Sequence, residues 1–377
     1  MAKGNIVVQQ ETTLLTTIIV ALVLFGLLMV YSTSGIDPSD AGNMRSQAKA
    51  ALIGCCIMFI AARFDYHNFE RKWLFKPLVL ATLALLVLVL VPGIGVDVNG
   101  ARRWIRLAGF QFQPSELAKF ALIMLLAVKL SQNRDDVRTF WRGFVPTMIL
   151  AALFAGLVVL ENDLGIPFMM FATAYIMLFV AGMPWRYVIA GVFPVAGAIV
   201  GLILIAPHRI ARLTGFVDPF ADRDDKGFQL IQSLTGFAQG GIMGRGAGAS
   251  EQKLSYLFAA HTDFIFAVIG EELGLLGTLS VAGIFLCFGV AAFRVAAKAP
   301  DCLGMLLASG IGFLITFQGA FIMAVSTGLL PTKGLPLPFI SYGGTALIMF
   351  MGMAGVLLNV SLQSQQPESS RKLVPAA

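Results

Sequence analysis

Charge is what this chain has least of: 13% of its 377 residues are Asp, Glu, Lys or Arg, against about a quarter in an ordinary soluble domain. With 57% hydrophobic residues and a mean hydropathy of +0.81, a soluble globular protein is excluded. Long polar stretches are missing too. The longest interval between apolar runs is 207–262, which leaves no room for a soluble catalytic domain with a sizeable core of its own. Cysteine is sparse: Cys55, Cys56 and Cys287 fall within apolar runs and Cys302 in a short basic loop, so no disulfide framework or metal cluster is indicated. The glycine-rich run Gly240–Gly248 lacks the Gly-Lys-Ser/Thr ending and the strand–helix context of a phosphate-cradling loop, which excludes a nucleotide site. Repeats of 20–50 residues are absent. The net charge of +6 sits mostly between apolar runs, where attraction to anionic headgroups accounts for it without nucleic acid.

What is there is a series of apolar runs. Since about 20 apolar residues cross a bilayer, spans are expected near 13–32, 47–62, 77–91, 115–131, 144–161, 166–183, 187–206, 263–293, 303–330 and 341–362. The chain thus reads as an all-α polytopic membrane protein of about ten transmembrane helices, a single integral membrane domain over 1–377. Placing both termini in the cytoplasm puts Arg63, Arg71, Lys72 and Lys76 in one inside loop and Lys129, Arg134, Arg138 and Arg142 in another, as the positive-inside rule favours. In that orientation 207–262 is a long extracytoplasmic loop, and 363–377 is a polar, disordered cytoplasmic tail.

The stretch from His261 to Gly277 stands out. Carboxylates inside a membrane span cost roughly 2.5–3.5 kcal/mol each at the helix centre, yet Asp263 stands at the mouth of an apolar helix with Glu271 and Glu272 within it. Free N–H groups and the macrodipole at that mouth are expected to hold Asp263 ionised, the state a general base needs. Glu271 is roughly 12 Å deeper at 1.5 Å per residue, where it is expected to line the same cavity, and Glu272 faces a neighbouring helix. His261, with no second histidine nearby, reads as a structural hydrogen-bonder or a substrate contact.

Other polar clusters flank the spans. In Gly100–Arg106 the cations alternate with Trp104 and Ile105, so the segment either lies in the membrane interface as an anchor or offers Arg103 and Trp104 to a lipid phosphate. Pro114 opens a span on which Glu116 and Lys119 are three apart, either a self-neutralising pair or a cation placed to meet a phosphate. Asp163 lies in the polar turn Glu161–Gly165 between two apolar runs. Gln232 and Ser233 belong to the 207–262 loop, whose glycines allow it to fold back onto the helices beside Asp263. Three prolines in 331–344 make a rigid connector that holds Lys333 and Ser341 at the outer face.

These segments, in this order on a ten-span chain, resemble the SEDS family of bacterial cell-wall polymerases, the FtsW and RodA group. The resemblance rests most on Ala101–Ile105, Gln113–Lys119, Asp163-Leu164-Gly165, His261–Gly274 and Pro336–Gly344. Gln252–Tyr256 and Leu330–Gly334 are closer to the FtsW division branch. Two departures stand out: Leu257–Ala260 lacks the family's proline and acid before His-Thr-Asp, and Asn162 replaces the proline of a Glu-Pro-Asp turn. The resemblance implies a peptidoglycan glycosyltransferase that polymerises lipid II, an undecaprenyl-diphosphate disaccharide-pentapeptide, at the outer face of the bacterial cytoplasmic (inner) membrane. It implies Asp263 as the essential aspartate, Arg103 and Lys119 as cations for the leaving diphosphate, and a class B penicillin-binding transpeptidase among divisome or elongation partners. The diphosphate is also a group that a divalent cation, Mg or Mn, would bridge. A transporter of lipid-linked precursors is the alternative, since charges inside a ten-helix bundle also mark translocation paths.

Overall fold

The computed structural model describes residues 2–34, 41–98, 101–107, 110–221, 227–251 and 262–365. In chain order the helices are α1 (Ala2–Ser34), α2 (Ala41–Arg63), α3 (Lys72–Leu88), α4 (Pro114–Gln132), α5 (Arg134–Val137), α6 (Val145–Leu160) and α7 (Gly165–Val180). They continue with α8 (Trp185–Leu204), α9 (Pro207–Val217), α10 (Phe228–Gly240), α11 (Ile265–Ala297), α12 (Cys302–Ser326) and α13 (Gly344–Ser364). Each of the ten expected spans falls on one of the longer helices. Among the described residues seven segments are long and apolar enough to cross a bilayer on length and composition, and α7 is a shorter apolar helix. One end differs from expectation. Gln363 and Ser364 belong to α13 rather than to a tail, because Gln363 donates to Asp65 Oδ1 and Asn359 Oδ1. The rest of the expected tail, 366–377, lies outside the described residues.

Lipid tails are as apolar as leucine, so burial from water does not hold such helices together; close packing and buried hydrogen bonds do. The centre of the bundle is α4, α12 and α13, whose buried residues include Ala118, Leu122, Leu307, Ile311, Ala354 and Leu357. α13 meets α2 at backbone distance: a Cβ on Gly355 would stand 2.5 Å from the Met58 carbonyl oxygen. α8 is the exception, with Gly191 its one buried residue, so it stands off from the bundle. Between it, α6 and α7 opens an apolar cleft of about 390 Å3, running from Phe144 and Tyr175 at one end to Val159, Leu164 and Leu202 at the other.

The all-helical expectation misses one element. Residues 95–112 form an antiparallel sheet of β1 (Gly95–Val98), β2 (Ala101–Leu107) and β3 (Phe110–Phe112), in that order. The segment read as an in-plane anchor is therefore β2. Its alternation of cations with Trp104 and Ile105 is a strand period in the sequence, and a register shift between Val96 and Asp97 sets Arg102 beside Asp97 on one face and Trp104 beside Val96 on the other.

At the other end of the bundle the segment after α2 is stitched to α12 and α13. Tyr66 N donates to Asn359 Oδ1 at 3.1 Å, the Tyr66 hydroxyl pairs with Asp301, and Asp301 caps α12 through Gly304 N at 2.8 Å. His67 lies between two carboxylates, 3.0 Å from Asp301 and 2.7 Å from Asp65. The hydrogen bond to Asp301, then that to Asp65, pushes its imidazole up to about 9 against the opposing effect of burial.

Candidate active site

Arg103 owes its aim to an irregularity in the sheet. Val96 pairs with Trp104 but Asp97 pairs with Arg102, so Arg103 is the extra, unpaired residue of a β-bulge, a device that re-aims a side chain. It points at the turn between α6 and α7. Its Nε donates to Glu161 O at 3.2 Å and its Nη2 to Asn162 O at 2.7 Å, while Nη1 lies 3.5 Å from Asp163 Oδ2. The turn itself is shaped by Asn162, whose φ of 62° is left-handed. Asparagine tolerates that region and proline cannot enter it.

Asp163 is spent in two directions. Its Oδ1 accepts from Gly165 N at 2.7 Å and Ile166 N at 3.3 Å, capping the start of α7, and its Oδ2 faces Arg103. Glu161, two residues earlier, is buried, and neither of its oxygens has a well-formed hydrogen bond among the described residues. Burial, then the Asp163 charge, pushes its carboxyl up to about 8, against lowering by Ser115 and Arg103. Glu161 is thus a neutral acid at pH 7 beside the Arg103–Asp163 contact.

Asp263 lies in the turn just before α11, half-buried. It is not held ionised by the helix as expected. The helix begins at Ile265 behind Phe264, which makes no side-chain cap, and desolvation outweighs the dipole. Burial, then the neighbouring Asp163 charge, pushes the Asp263 carboxyl up to about 7, with Thr262, Arg103 and Arg212 pulling it down. That value suits a general base better than full ionisation, because proton transfer works best from a group poised near the operating pH.

The connector 331–343 joins the two halves of the site. Gly334 packs against Asp263, so that a Cβ there would be 3.0 Å from its Oδ2, while Leu335 packs on Gly165 just after Asp163. Ser341 fixes this arrangement: its hydroxyl donates to Thr262 O at 2.6 Å and accepts from Leu337 N at 2.8 Å. Its role here is that of a strut. Lys333 immediately precedes Gly334 and is half-buried.

Other expected residues fall elsewhere. Lys119 is fully buried, 2.9 Å from Glu116 Oε2, donating to Gln318 Oε1 at 3.0 Å and lying 4.7 Å over the Phe350 ring. This is the self-neutralising pair, closed off from the outer water. Gln318 in turn donates to Pro336 O at 2.8 Å, so the pair supports the connector from beneath. Ser233 is buried and donates to Ser326 O at 2.6 Å, tying α10 to α12; Gln232 beside it is half-buried. Trp104 is half-buried opposite Val96. His261 lies outside the described residues. Glu271 does not share the Asp263 cavity: it is buried against residues 245–251, because its oxygens are taken by Ser250 and Glu251 N. Glu272 accepts from Ser32 of α1 at 2.7 Å, the neighbouring-helix contact expected of it. Arg212 on α9 belongs to the 207–262 loop and is not among the expected site residues; the amphipathic sequence of 207–217 is the signal that places it near the membrane border.

Comparison with known proteins follows this geometry. Residues 12–366 match the family of cell cycle proteins represented by FtsW, RodA and SpoVE. The probable peptidoglycan glycosyltransferase FtsW of Geobacter sp. (strain M18) is 44% identical over 347 residues, covering 91% of this chain and 94% of that one. Stage V sporulation protein E of Bacillus subtilis (strain 168) is 40% identical over 359 residues, covering 93% and 97%. Among solved structures, a chain from a peptidoglycan synthase complex that coordinates polymerization and crosslinking superposes with a TM-score of 0.79 at 29% identity, covering 94% of this chain and 98% of that one. The rod shape determining protein RodA of Thermus thermophilus gives 0.69 at 28% identity, covering 94% and 97%.

Proposed function

The chain belongs to the FtsW, RodA and SpoVE family, and from that premise we propose that Asp263 is the general base of its glycan polymerisation. The protein is a multi-pass membrane peptidoglycan glycosyltransferase associated with division. Its substrate is lipid II, and the site works at the outer face of the inner membrane, where a Cys substituted at the exposed Ala247 should react with an impermeant thiol reagent added outside; labelling only after permeabilisation would reverse the orientation.

Asp263 takes the proton of the acceptor sugar hydroxyl, whose oxygen attacks the donor's anomeric carbon; the new C–O bond forms as the bond to the diphosphate breaks. The leaving undecaprenyl diphosphate carries its own driving force, so no nucleotide is needed. Arg103 and Arg212 both act electrostatically on Asp263, and with Lys333 they supply positive charge where the diphosphate departs. Lys119 supports from below. The cleft ending at Leu164, next to Asp163, offers an apolar bed for the polyprenyl chain. Among the described residues no three His, Cys, Asp or Glu side chains come together as a metal-holding group, so a divalent cation at the diphosphate would be held by one or two carboxylates together with the substrate's own phosphates. The partner is a class B penicillin-binding transpeptidase, a reading supported by the similarity to a chain from a synthase complex.

The observation that carries the assignment is the Asp263 carboxyl, poised near 7 beside Asp163 and Arg103. Asp263→Asn keeps the shape and removes the base, so glycan formation from purified lipid II should fall at least a hundredfold, within the range of about 10²–10⁴ for general-base loss. A folded Asn variant retaining more than about a tenth of the wild-type rate would sink the assignment.

A further inference from the structure

α11 is not one continuous rod. At Gly274 the backbone takes φ 68° and ψ −164°, a region that side chains scarcely enter, and a Cβ there would stand 2.4 Å from Gly244 N. The glycine-rich turn after α10 fills the break from the side. Gly241 O and Ile242 O accept from Leu275 N at 2.9 Å and Leu276 N at 3.3 Å, while Arg245 N and Gly246 N donate to Glu271 O at 2.9 Å and Glu272 O at 3.0 Å. Backbone groups that a straight helix would pair internally are paired with the loop instead. The first half of α11, residues 265–273, is therefore aimed by that loop and not by the long second half, and Asp263 stands just ahead of it.

One side chain locks the loop to this half-helix. Glu271 is buried, and its carboxylate accepts from the Ser250 hydroxyl and from Glu251 N at 2.8 Å, with Arg245 Nη1 at 3.6 Å. Arg245 reaches on to Glu251 Oε1 at 2.7 Å and Gln239 Oε1 at 3.0 Å. An ionisable group inside a membrane helix is expensive and marks a function, and here its partners belong to the segment 245–251. We propose that Glu271 is a positioning residue for catalysis, clamping the 245–251 loop onto the first half of α11 and so fixing where Asp263 meets the acceptor. The proposal rests on Asp263 being the base.

The lever is short and sensitive. Eight residues separate Glu271 from Asp263, about 12 Å at 1.5 Å per residue, so a tilt of about 5° carries Asp263 roughly 1 Å, a misplacement that can cost about a hundredfold. Glu271→Gln in the full-length protein should lower kcat for lipid II polymerisation at least tenfold with KM within threefold. Because the Glu271 clamp is made through the Ser250 hydroxyl, the Glu271→Gln/Ser250→Ala double variant should be no slower than Glu271→Gln alone. Ser250→Ala removes one donor and leaves the charge paired; it should lower kcat about threefold with an unchanged thermal midpoint, which keeps the test open if the Gln variant does not accumulate. A kcat within twofold of wild type in Ser250→Ala or in folded Glu271→Gln overturns the proposal, as do additive losses in the double variant. Asp263→Asn is measured alongside: if it is inactive while Glu271→Gln is normal, positioning alone fails; if it is active, the base assignment fails first.

Discussion

Replacing Arg103 by lysine separates a catalytic arginine from an interfacial anchor. The guanidinium donates to two backbone carbonyls 58 and 59 residues away and faces Asp163 at 3.5 Å. A lysine keeps the charge but, as a point donor on a flexible stem, cannot span both carbonyls and the carboxylate. Losing one hydrogen bond from a charged donor costs about 1.5–3 kcal/mol. At about 1.4 kcal/mol per decade, a loss that falls wholly on the transition state slows kcat roughly tenfold to a hundredfold. The assay is the rate of glycan formation against lipid II concentration, in detergent and in bilayers. Arg103→Ala adds a second effect: with the positive charge gone, the Asp263 carboxyl should rise further above about 7, which Arg103→Lys should not cause. An anchoring arginine would be replaced by a snorkelling lysine almost without loss. A saturated rate for Arg103→Lys within twofold of wild type in both media would therefore refute the reasoning.

Two further substitutions probe the scaffold. Lys119→Met leaves Glu116 buried without its cation and should destabilise the protein by about 3–5 kcal/mol, with the Glu116→Gln/Lys119→Met pair recovering much of it; thermal melts decide, and a stable Lys119→Met enzyme with a raised KM would return Lys119 to the substrate. His67→Gln should lower the melting temperature at pH 7. Because the folded imidazole is raised from 6.5 to about 9, its stabilisation is full below pH 6.5 and lost as pH rises through about 9, so wild type and variant should converge near pH 10; a difference unchanged at pH 10 would rule out the charge on His67.

Hydropathy made the ten spans legible because a bilayer imposes a length on each helix, and Asp163 and Asp263 were visible as carboxylates beside apolar runs. The sheet was not, although Asn99-Gly100 is a hairpin dipeptide and Arg102–Arg106 alternates; cations interleaved with tryptophan fit an interfacial segment equally well. Glu116 and Lys119 show why spacing alone misleads: three residues apart they can pair or diverge, and only the placement of Gln318 and Phe350 from distant helices closes them in. Helical rise alone sets Glu271 below Asp263 in one cavity, but the break at Gly274 and the inserted loop depend on contacts between residues some thirty apart that no local period encodes. The Asp263 carboxyl went the other way from the helix-dipole argument because its surroundings, not its helix, set the desolvation.

The pH dependence of kcat/KM bears most directly on Asp263 as the base. Its carboxyl is raised to about 7 by burial and by Asp163, and only the ionised form can accept the acceptor's proton. With lipid II well below KM, kcat/KM should climb about tenfold per pH unit below 7 and level off above it. A profile that is flat from pH 5.5 to 8, with the enzyme folded throughout, would contradict the assignment.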